Sequence, residues 1–312
     1  MPRATVIIPN WNGASYLPTC LDSLRRQEYH DFETVVVDNA SQDESLKILR
    51  ERYPEVEVIV QPRNTFFCGA VNEGIRRSRS EFVVLLNNDV EVDEKWLSSL
   101  IGAMDENPSA GMIASKILLF DRRDVIHSAG DLYRRDGVPV NRGVWEKDEG
   151  QYDDQRTVFG ACGGAAAYRR AMLEEIGLFD EDFVMYCEDV DLAFRAQLAG
   201  YGCIFAPGAV VYHQLSATGG GPLASYYCGR NFISVVAKNM PASLLRKYWP
   251  SIVGAQMGYL GESLRHVREP AARARLRGQL AGILLLPKMW RKRRAIKARR
   301  KASDTDIAAM LS

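Results

Sequence analysis

Val83-Val84-Leu85-Leu86-Asn87-Asn88-Asp89 is an apolar run that stops abruptly at amide and carboxylate side chains. Four consecutive apolar residues leave no solvent face, which is the form of a strand buried on both sides of a sheet. The same form recurs upstream in Thr5-Val6-Ile7-Ile8-Pro9, Thr34-Val35-Val36-Val37-Asp38 and Val56-Glu57-Val58-Ile59-Val60. Helix-like segments lie between these strands. Ser15 is placed to cap a helix to about Gln27, with Leu17, Leu21 and Leu24 on one face. Ser41 to Arg52 and Gly69 to Arg77 supply two more. Apolar strands alternating with helices predict an α/β domain with a parallel sheet covered on both faces. Ligands of such sheets bind outside the carboxyl ends of the strands. Those ends hold Pro9-Asn10, Asp38-Asn39, Arg63-Asn64 and Asn88-Asp89.

The middle of the chain is less regular. Strands are expected at Ile113–Phe120, Val125–Tyr133, Cys203–Pro207 and Ala209–His213, and a helix at Val190–Ala199. Arg134 to Arg156 is polar and reads as a mobile loop, and residues 216–222 as a flexible one. From Ala224 onward the pattern is helical.

At 312 residues with 46% hydrophobic and 25% charged content, the composition is that of a globular protein with ample core. No signal-peptide pattern and no run of 18 apolar residues is present. Six scattered cysteines without CxxC argue against a disulfide framework or a zinc site and point to a reducing cytoplasm. The net charge of +1 hides an asymmetry. Twelve Lys and Arg and no acid lie between Pro270 and Asp304, so residues 1–269 carry a net −9. Ile283 to Arg294 joins an apolar patch, Trp290 and a basic run, the signature of attachment to an anionic membrane surface. A solvated basic helix is the plain alternative. Nucleic acid is not expected as a partner, because no stacking aromatics interleave with the basic run.

The chemistry concentrates in two places. Asn88-Asp89 ends a strand with oxygen ligands suited to Mg²⁺ or Mn²⁺ bridging a substrate's phosphates, although Asn and Asp also simply form turns. Tyr186-Cys187-Glu188-Asp189-Val190-Asp191 packs three acids into four positions at a helix start. There the macrodipole favours carboxylates, Asp189 can cap, and one acid can serve as a general base. Asp38 is placed to accept hydrogen bonds from a base or ribose, with Ser41 and Asp43 as alternative helix caps. Gly163 and Gly164 permit close approach of a sugar or simply tight packing. His213 ends a strand as a structural residue or metal ligand. His30, His127 and His266 have no motif around them and read as surface or packing residues. No GxGxxG follows the first strand, which argues against a dinucleotide enzyme.

These motifs occur in a known order: Val6-Ile7-Ile8-Pro9-Asn10-Trp11-Asn12-Gly13, Val37-Asp38-Asn39-Ala40-Ser41-Gln42-Asp43, Arg63-Asn64 with Gly69, Asn72 and Gly74, Leu86-Asn87-Asn88-Asp89, Gly177-Leu178-Phe179-Asp180-Glu181 and Glu188-Asp189-Val190-Asp191-Leu192. Over about residues 4–240 the chain resembles the family 2 inverting glycosyltransferases of GT-A fold, in the rhamnosyltransferase-like branch. The resemblance implies a Rossmann-like, mostly parallel sheet flanked by helices over 1–240. Residues 241–312 then form a helical, basic C-terminal region for membrane-surface attachment. It implies that Pro9, Asn10 and Asn12 lie near the nucleotide, that Asp38 binds the base, and that Arg63 and Asn64 lie beside it. Asn88 and Asp89 occupy the Asp-x-Asp-type motif, with Asp89 and His213 holding Mn²⁺ or Mg²⁺. Asp189 is the base with Glu188 beside it, and Gly163, Gly164 and Asp191 belong to the sugar and acceptor pocket. Asn87 stands where the motif's first acid is usual.

The expected activity is transfer of a sugar from a UDP- or dTDP-linked donor, dTDP-rhamnose among them, to a lipid-linked or polysaccharide acceptor in cell-envelope glycan synthesis. The expected place is the inner face of the cytoplasmic membrane. The other class is a non-catalytic nucleotide-sugar-binding module or scaffold. A nucleotidyltransferase would want a Gly-rich, basic phosphate loop after the first strand, and Asn10-Trp11-Asn12-Gly13 is not one.

Overall fold

The computed structural model describes residues 1–214 and 220–312. Leu215–Gly219, which include most of the glycine-rich stretch read as flexible, lie outside the described residues. The first half alternates β1 (Ala4–Asn10), α1 (Leu17–Arg25), β2 (Phe32–Asp38), α2 (Ser45–Arg52), β3 (Glu57–Val60), α3 (Phe66–Arg77) and β4 (Phe82–Leu86). There follow β5 (Val90–Val92), α4 (Trp96–Glu106), β6 (Ala110–Leu119), β7 (Ile126–Ser128), β8 (Asp131–Tyr133), β9 (Pro139–Asn141), β10 (Thr157–Val158) and β11 (Ala165–Arg169). The remainder is α5 (Arg170–Ile176), α6 (Glu188–Leu198), β12 (Gly202–His213), α7 (Gly221–Asn239), α8 (Ala242–Arg265), α9 (Pro270–Arg299) and α10 (Asp304–Met310).

The main sheet runs β10-β12-β6-β11-β4-β1-β2-β3. The β4-β1-β2-β3 block and the β12-β6 pair are parallel, and β11 joins them antiparallel to both neighbours. Alternate residues of each strand enter opposite layers, as the pleat requires. Ile7, Val35, Val37, Val83 and Leu85 pack into one buried cluster. Val6, Ile8, Val36, Val84 and Leu86 pack into the other. Each such side chain contributes about 1.5–3 kcal/mol on burial, which is why the apolar runs sit in the centre of the sheet.

Several local expectations are corrected. Ser15 does not cap α1: the chain turns at Gly13, whose carbonyl accepts from Tyr16 N and Leu17 N, and Tyr16 is the N-cap. Ser41–Glu44 is a turn ahead of α2, pinned because Asp43 Oδ1 accepts from Ser45 N and Asp43 Oδ2 from Ala14 N. Val125–Tyr133 is two short strands broken at Gly130, where φ is +92°. The two strands expected at 203–213 are one, β12, with a bulge between Ala206 and Val210. The polar segment 134–156 is folded rather than loose. β9 pairs with β8, and the buried Arg142 donates to the carbonyls of Ala129 and Gln155.

The C-terminal helices pack on the body. α9 lies along α7 so closely that a Cβ on Gly278 would come 2.1 Å from Tyr226 O, and one on Gly282 2.8 Å from Arg230 O. Met289, Ile307 and Leu311 are buried in the same cluster as the sheet. Part of the basic run faces inward. Lys288 pairs with Asp182, Lys292 with Asp180 and Asp182, and Arg293 donates to Ala237 O. Lys288 and Lys292 hold α9 to the loop before α6, and Arg293 holds it to the end of α7. Arg277, Arg291, Arg294 and Lys297 are exposed and are not among these clamping residues.

Candidate active site

The two segments that opened the sequence meet across one cavity of about 680 Å³. Asn87 and Asp89 enter it from the carboxyl end of β4, Cys162, Gly163 and Gly164 from the approach to β11, Glu188 and Asp189 from the start of α6, and His213 from the end of β12. Parallel strands bring their carboxyl ends to one edge, so residues distant in sequence converge there.

The acid segment is held under backbone strain. Val184, Tyr186 and Cys187 have φ of +68°, +63° and +62°, a region that non-glycine residues rarely occupy, β-branched ones least of all. Asn231 on α7 holds this turn by donating to the carbonyls of Phe183, Met185 and Tyr186 at 3.0, 3.0 and 2.7 Å. Arg230 donates to Asp182 O and Phe183 O. The turn aims Asp189 at the cavity, where Oδ2 accepts from Gly163 N at 2.9 Å and Oδ1 from Val190 N at 2.8 Å. The helix N-cap is Cys187, not Asp189. Burial raises the Asp189 carboxyl above its ordinary range, and the two amide donors pull against it. A pKa moved upward toward neutrality suits a proton acceptor. Glu188 is raised further, first by burial and then by Asp189.

In the same cavity, Asp89 Oδ1 is buried without a hydrogen-bond donor among the described residues and lies 3.3 Å from His213 Nε2. An unsatisfied carboxylate oxygen beside an imidazole nitrogen, opening on a cavity, is a donor set that fits Mn²⁺ or Mg²⁺. His127 also lines this cavity, with Nδ1 3.2 Å from His213 Nδ1, so it is not the surface or packing residue expected. Burial, then the neighbouring His213, lowers it to about 4. The signal was the alternation Ile126-His127-Ser128: the flanking residues are fully buried, which turns His127 to the other side of the strand.

Asp131 was also missed. It lies at the cavity, receives Ser128 Oγ at 3.1 Å, and forms with Asp189 and Cys162 a cluster whose ligand atoms all lie within 4.8 Å of one another. Burial and Asp189 raise its pKa well above the ordinary value.

The nucleotide-side residues lie outside the cavity lining, at the adjoining strand ends. Asn88 Nδ2 donates to Asn10 Oδ1 at 2.7 Å, Asn10 Nδ2 to Asp38 Oδ1 at 3.0 Å, and Ser41 N to Asp38 Oδ2 at 3.0 Å. Asn12 Oδ1 accepts from Gln42 N. Asp38 is therefore fully buried with both oxygens engaged, and it shapes the loop instead of facing open space. Pro9 is half-buried, Arg63 is exposed, and Asn64 Oδ1 accepts from Phe66 N. Asp191 departs most from its expected place. It is fully buried, is not part of the cavity lining, and is bonded by Arg195, Lys238 and Asn239.

A mostly parallel sheet with carboxylates gathered at its strand ends is the GT-A glycosyltransferase architecture. The mannosyltransferase PcManGT from Pyrobaculum calidifontis, solved with GDP-Man and Mn²⁺, superposes with a TM-score of 0.54 at 20% identity, over 99% of this chain and 79% of that one. Residues 5–177 match the family described as Glycosyl transferase family 2, and the chain belongs to that family. It is 26% identical over 240 residues to the N-acetylglucosaminyl-diphospho-decaprenol L-rhamnosyltransferase of Mycobacterium tuberculosis, covering 70% of this chain and 78% of that one. It is 27% identical over 238 residues to the hyaluronan synthase of Pasteurella multocida, covering 67% of this chain and 24% of that one. The chain spans 25% or less of the length of three of the curated relatives it matches. Among the described residues no helix is long and apolar enough to cross a membrane.

Proposed function

We propose that this glycosyltransferase moves a sugar, with inversion, from a UDP- or dTDP-linked donor to a hydroxyl of a lipid-linked or polysaccharide acceptor in cell-envelope glycan synthesis. The observation that carries the reading is that Asp89 and Asp189, a hundred residues apart, line one cavity. dTDP-rhamnose is the first donor to test, because a relative covered over 78% of its length is an L-rhamnosyltransferase. Asp189, oriented by Gly163 N–H, takes the acceptor hydroxyl's proton as that oxygen bonds to the anomeric carbon and the bond to the diphosphate breaks. Glu188, beside it, is a support whose carboxyl is pushed well above its ordinary range by burial and then by Asp189. Asp89 and His213 would hold the divalent cation, Mn²⁺ or Mg²⁺, and when bound it neutralises the charge that collects on the leaving diphosphate. The Asn10-Asp38-Asn88 network, with Pro9, Asn12, Arg63 and Asn64, forms the nucleotide side, and Gly163 and Gly164 the sugar side. Trp145, 60% exposed and part of the cavity lining, presents a ring to an acceptor sugar. Residues 1–240 act as the transferase domain, and 241–312 as the attachment region at the inner face of the cytoplasmic membrane.

Asp189→Asn should abolish transfer while a thermal-shift panel of UDP-, dTDP- and GDP-sugars with Mn²⁺ still shows donor binding. Full activity in that variant would overturn the reading. The Asn at position 87, in place of an acid, favours a second reading as a non-catalytic nucleotide-sugar-binding module. Donor binding with neither transfer nor donor hydrolysis would select it.

A further inference from the structure

The two long C-terminal helices carry a similar arrangement on their outer faces. In α8 no charged residue occurs from Tyr248 to Gly261. Its inner face is occupied: Ile252 and Ser263 are buried, Tyr259 packs on Phe232, and Gln256 O accepts from Gln279. Its outer face leaves Trp249, Val253 and Met257 exposed by 56%, 47% and 57%. Arg246 and Lys247 precede this face; Leu264, Arg265 and Arg268 follow it beside Glu262 and Glu269, so that end is close to neutral. In α9, Arg273 and Arg277 precede an exposed row of Leu280, Ile283, Leu284 and Trp290, and Arg291 and Arg294 follow it. Positions 273, 277, 280, 284, 287, 291 and 294 fall on one side of a helix.

Monomeric proteins rarely leave apolar area of this kind open. Charge decides what covers it. The apolar row of α9 lies between cationic ends, that of α8 follows Arg246 and Lys247, and each carries a Trp, which complements an anionic bilayer: the apolar rows enter the acyl boundary and the Arg side chains reach phosphates. A second copy seated antiparallel on α9 would set its cationic ends on cationic ends. Spanning is ruled out by length, since the uncharged stretch of α8 runs about 21 Å against a hydrocarbon core of about 30 Å.

We propose that the outer faces of α8 and α9 lie along an anionic lipid surface and dock the chain there. Lys288, Lys292 and Arg293 take no part, because they clamp α9 to the protein. Phe232, which lines the cavity, touches Tyr259 of α8, so two rings separate the docking helix from the place where a lipid-linked acceptor would react. This surface gives residues to the peripheral placement proposed above and does not depend on the donor.

The test is co-sedimentation of the full chain with phosphatidylcholine vesicles containing about one third phosphatidylglycerol. The chain should pellet with these and stay in solution with pure phosphatidylcholine. Met257→Glu and Leu284→Glu should each weaken partitioning about tenfold, since each removes a buried apolar group and adds a charge repelled by the lipid. Both side chains are exposed, so thermal melting should be unchanged. Wild-type binding by both variants, equal binding to neutral vesicles, or a dimer in solution that Met257→Glu dissociates without any vesicle binding would each overturn the proposal. Donor-induced thermal shifts, measured without vesicles, separate failure of this surface from failure of the transferase reading.

Discussion

His127 Nδ1 lies 3.2 Å from His213 Nδ1, while the far nitrogen of His213, Nε2, lies 3.3 Å from Asp89 Oδ1. One imidazole therefore faces a carboxylate and a second imidazole at once. An imidazole that gives one nitrogen to a cation keeps the other protonated and needs an acceptor for it. His127 is positioned to be that acceptor. His127→Ala should weaken Mn²⁺ binding about tenfold to a hundredfold by isothermal titration, and His127→Gln, which retains an acceptor, should recover most of it. Equal affinities in all three proteins would remove His127 from this role.

Gly13 sits against the bond that joins the metal loop to the nucleotide loop. A Cβ there would lie 2.2 Å from both Asn10 Oδ1 and Asn88 Nδ2. Gly13→Ala should break that bond and cost about 1–3 kcal/mol. The checks are urea denaturation and a lost or reduced thermal shift with nucleotide. A variant as stable as the parent, with full nucleotide binding, would contradict the network.

Asp191 is a structural anion. Lys238 and Arg195 hold its carboxyl below the ordinary range despite burial. A depressed acid contributes stability that is present above its unfolded pKa, near 4, and is lost as pH falls below that. Asp191→Asn leaves two buried cations facing an amide and should cost about 3–5 kcal/mol at neutral pH. The gap to wild type should narrow in acid. An unchanged urea midpoint at pH 7 would return Asp191 to the list of pocket residues.

Asp131 should behave in the opposite sense. Its folded pKa is raised by burial and by Asp189, so its stabilising effect is complete below its unfolded pKa and declines as pH rises toward the folded value. Asp131→Asn does not titrate, so its melting temperature relative to wild type should increase from pH 4 to pH 8. A constant difference would show that folding does not raise the Asp131 carboxyl.

Asn231 supports the strained turn in front of Asp189 through three carbonyls. Asn231→Ala removes those three hydrogen bonds and frees Val184, Tyr186 and Cys187 to leave the left-handed region. Transfer should fall at least about tenfold through kcat, with nucleotide binding retained, because the turn belongs to the base and not to the nucleotide side.

β1, β2 and β4 were legible from local pattern, since a strand buried on both faces must be largely apolar, whereas β3, an edge strand with Val60 exposed, was legible only from the alternation of strands and helices. The acid-ended strand and the acid-rich helix start were legible for a related reason: an abrupt change from apolar to ionisable residues marks the edge of the core. His127, Asp131 and Asn231 carried no such mark. Each lies in an ordinary-looking short strand or helix, and its importance comes from what stands opposite.

The sequence by itself determined the α/β class, the edge of the sheet at which ligands gather, and the acids placed there, because those follow from the order of apolar and polar side chains along single elements. Only the tertiary structure decided the use made of each charge. Asp189 opens on the cavity while Asp191, two residues on, is neutralised by Lys238. Lys292 clamps α9 to Asp180 and Asp182 while Arg291 faces solvent. A charge is stable in the interior only beside a counter-charge, and those partners come from segments that folding brings together.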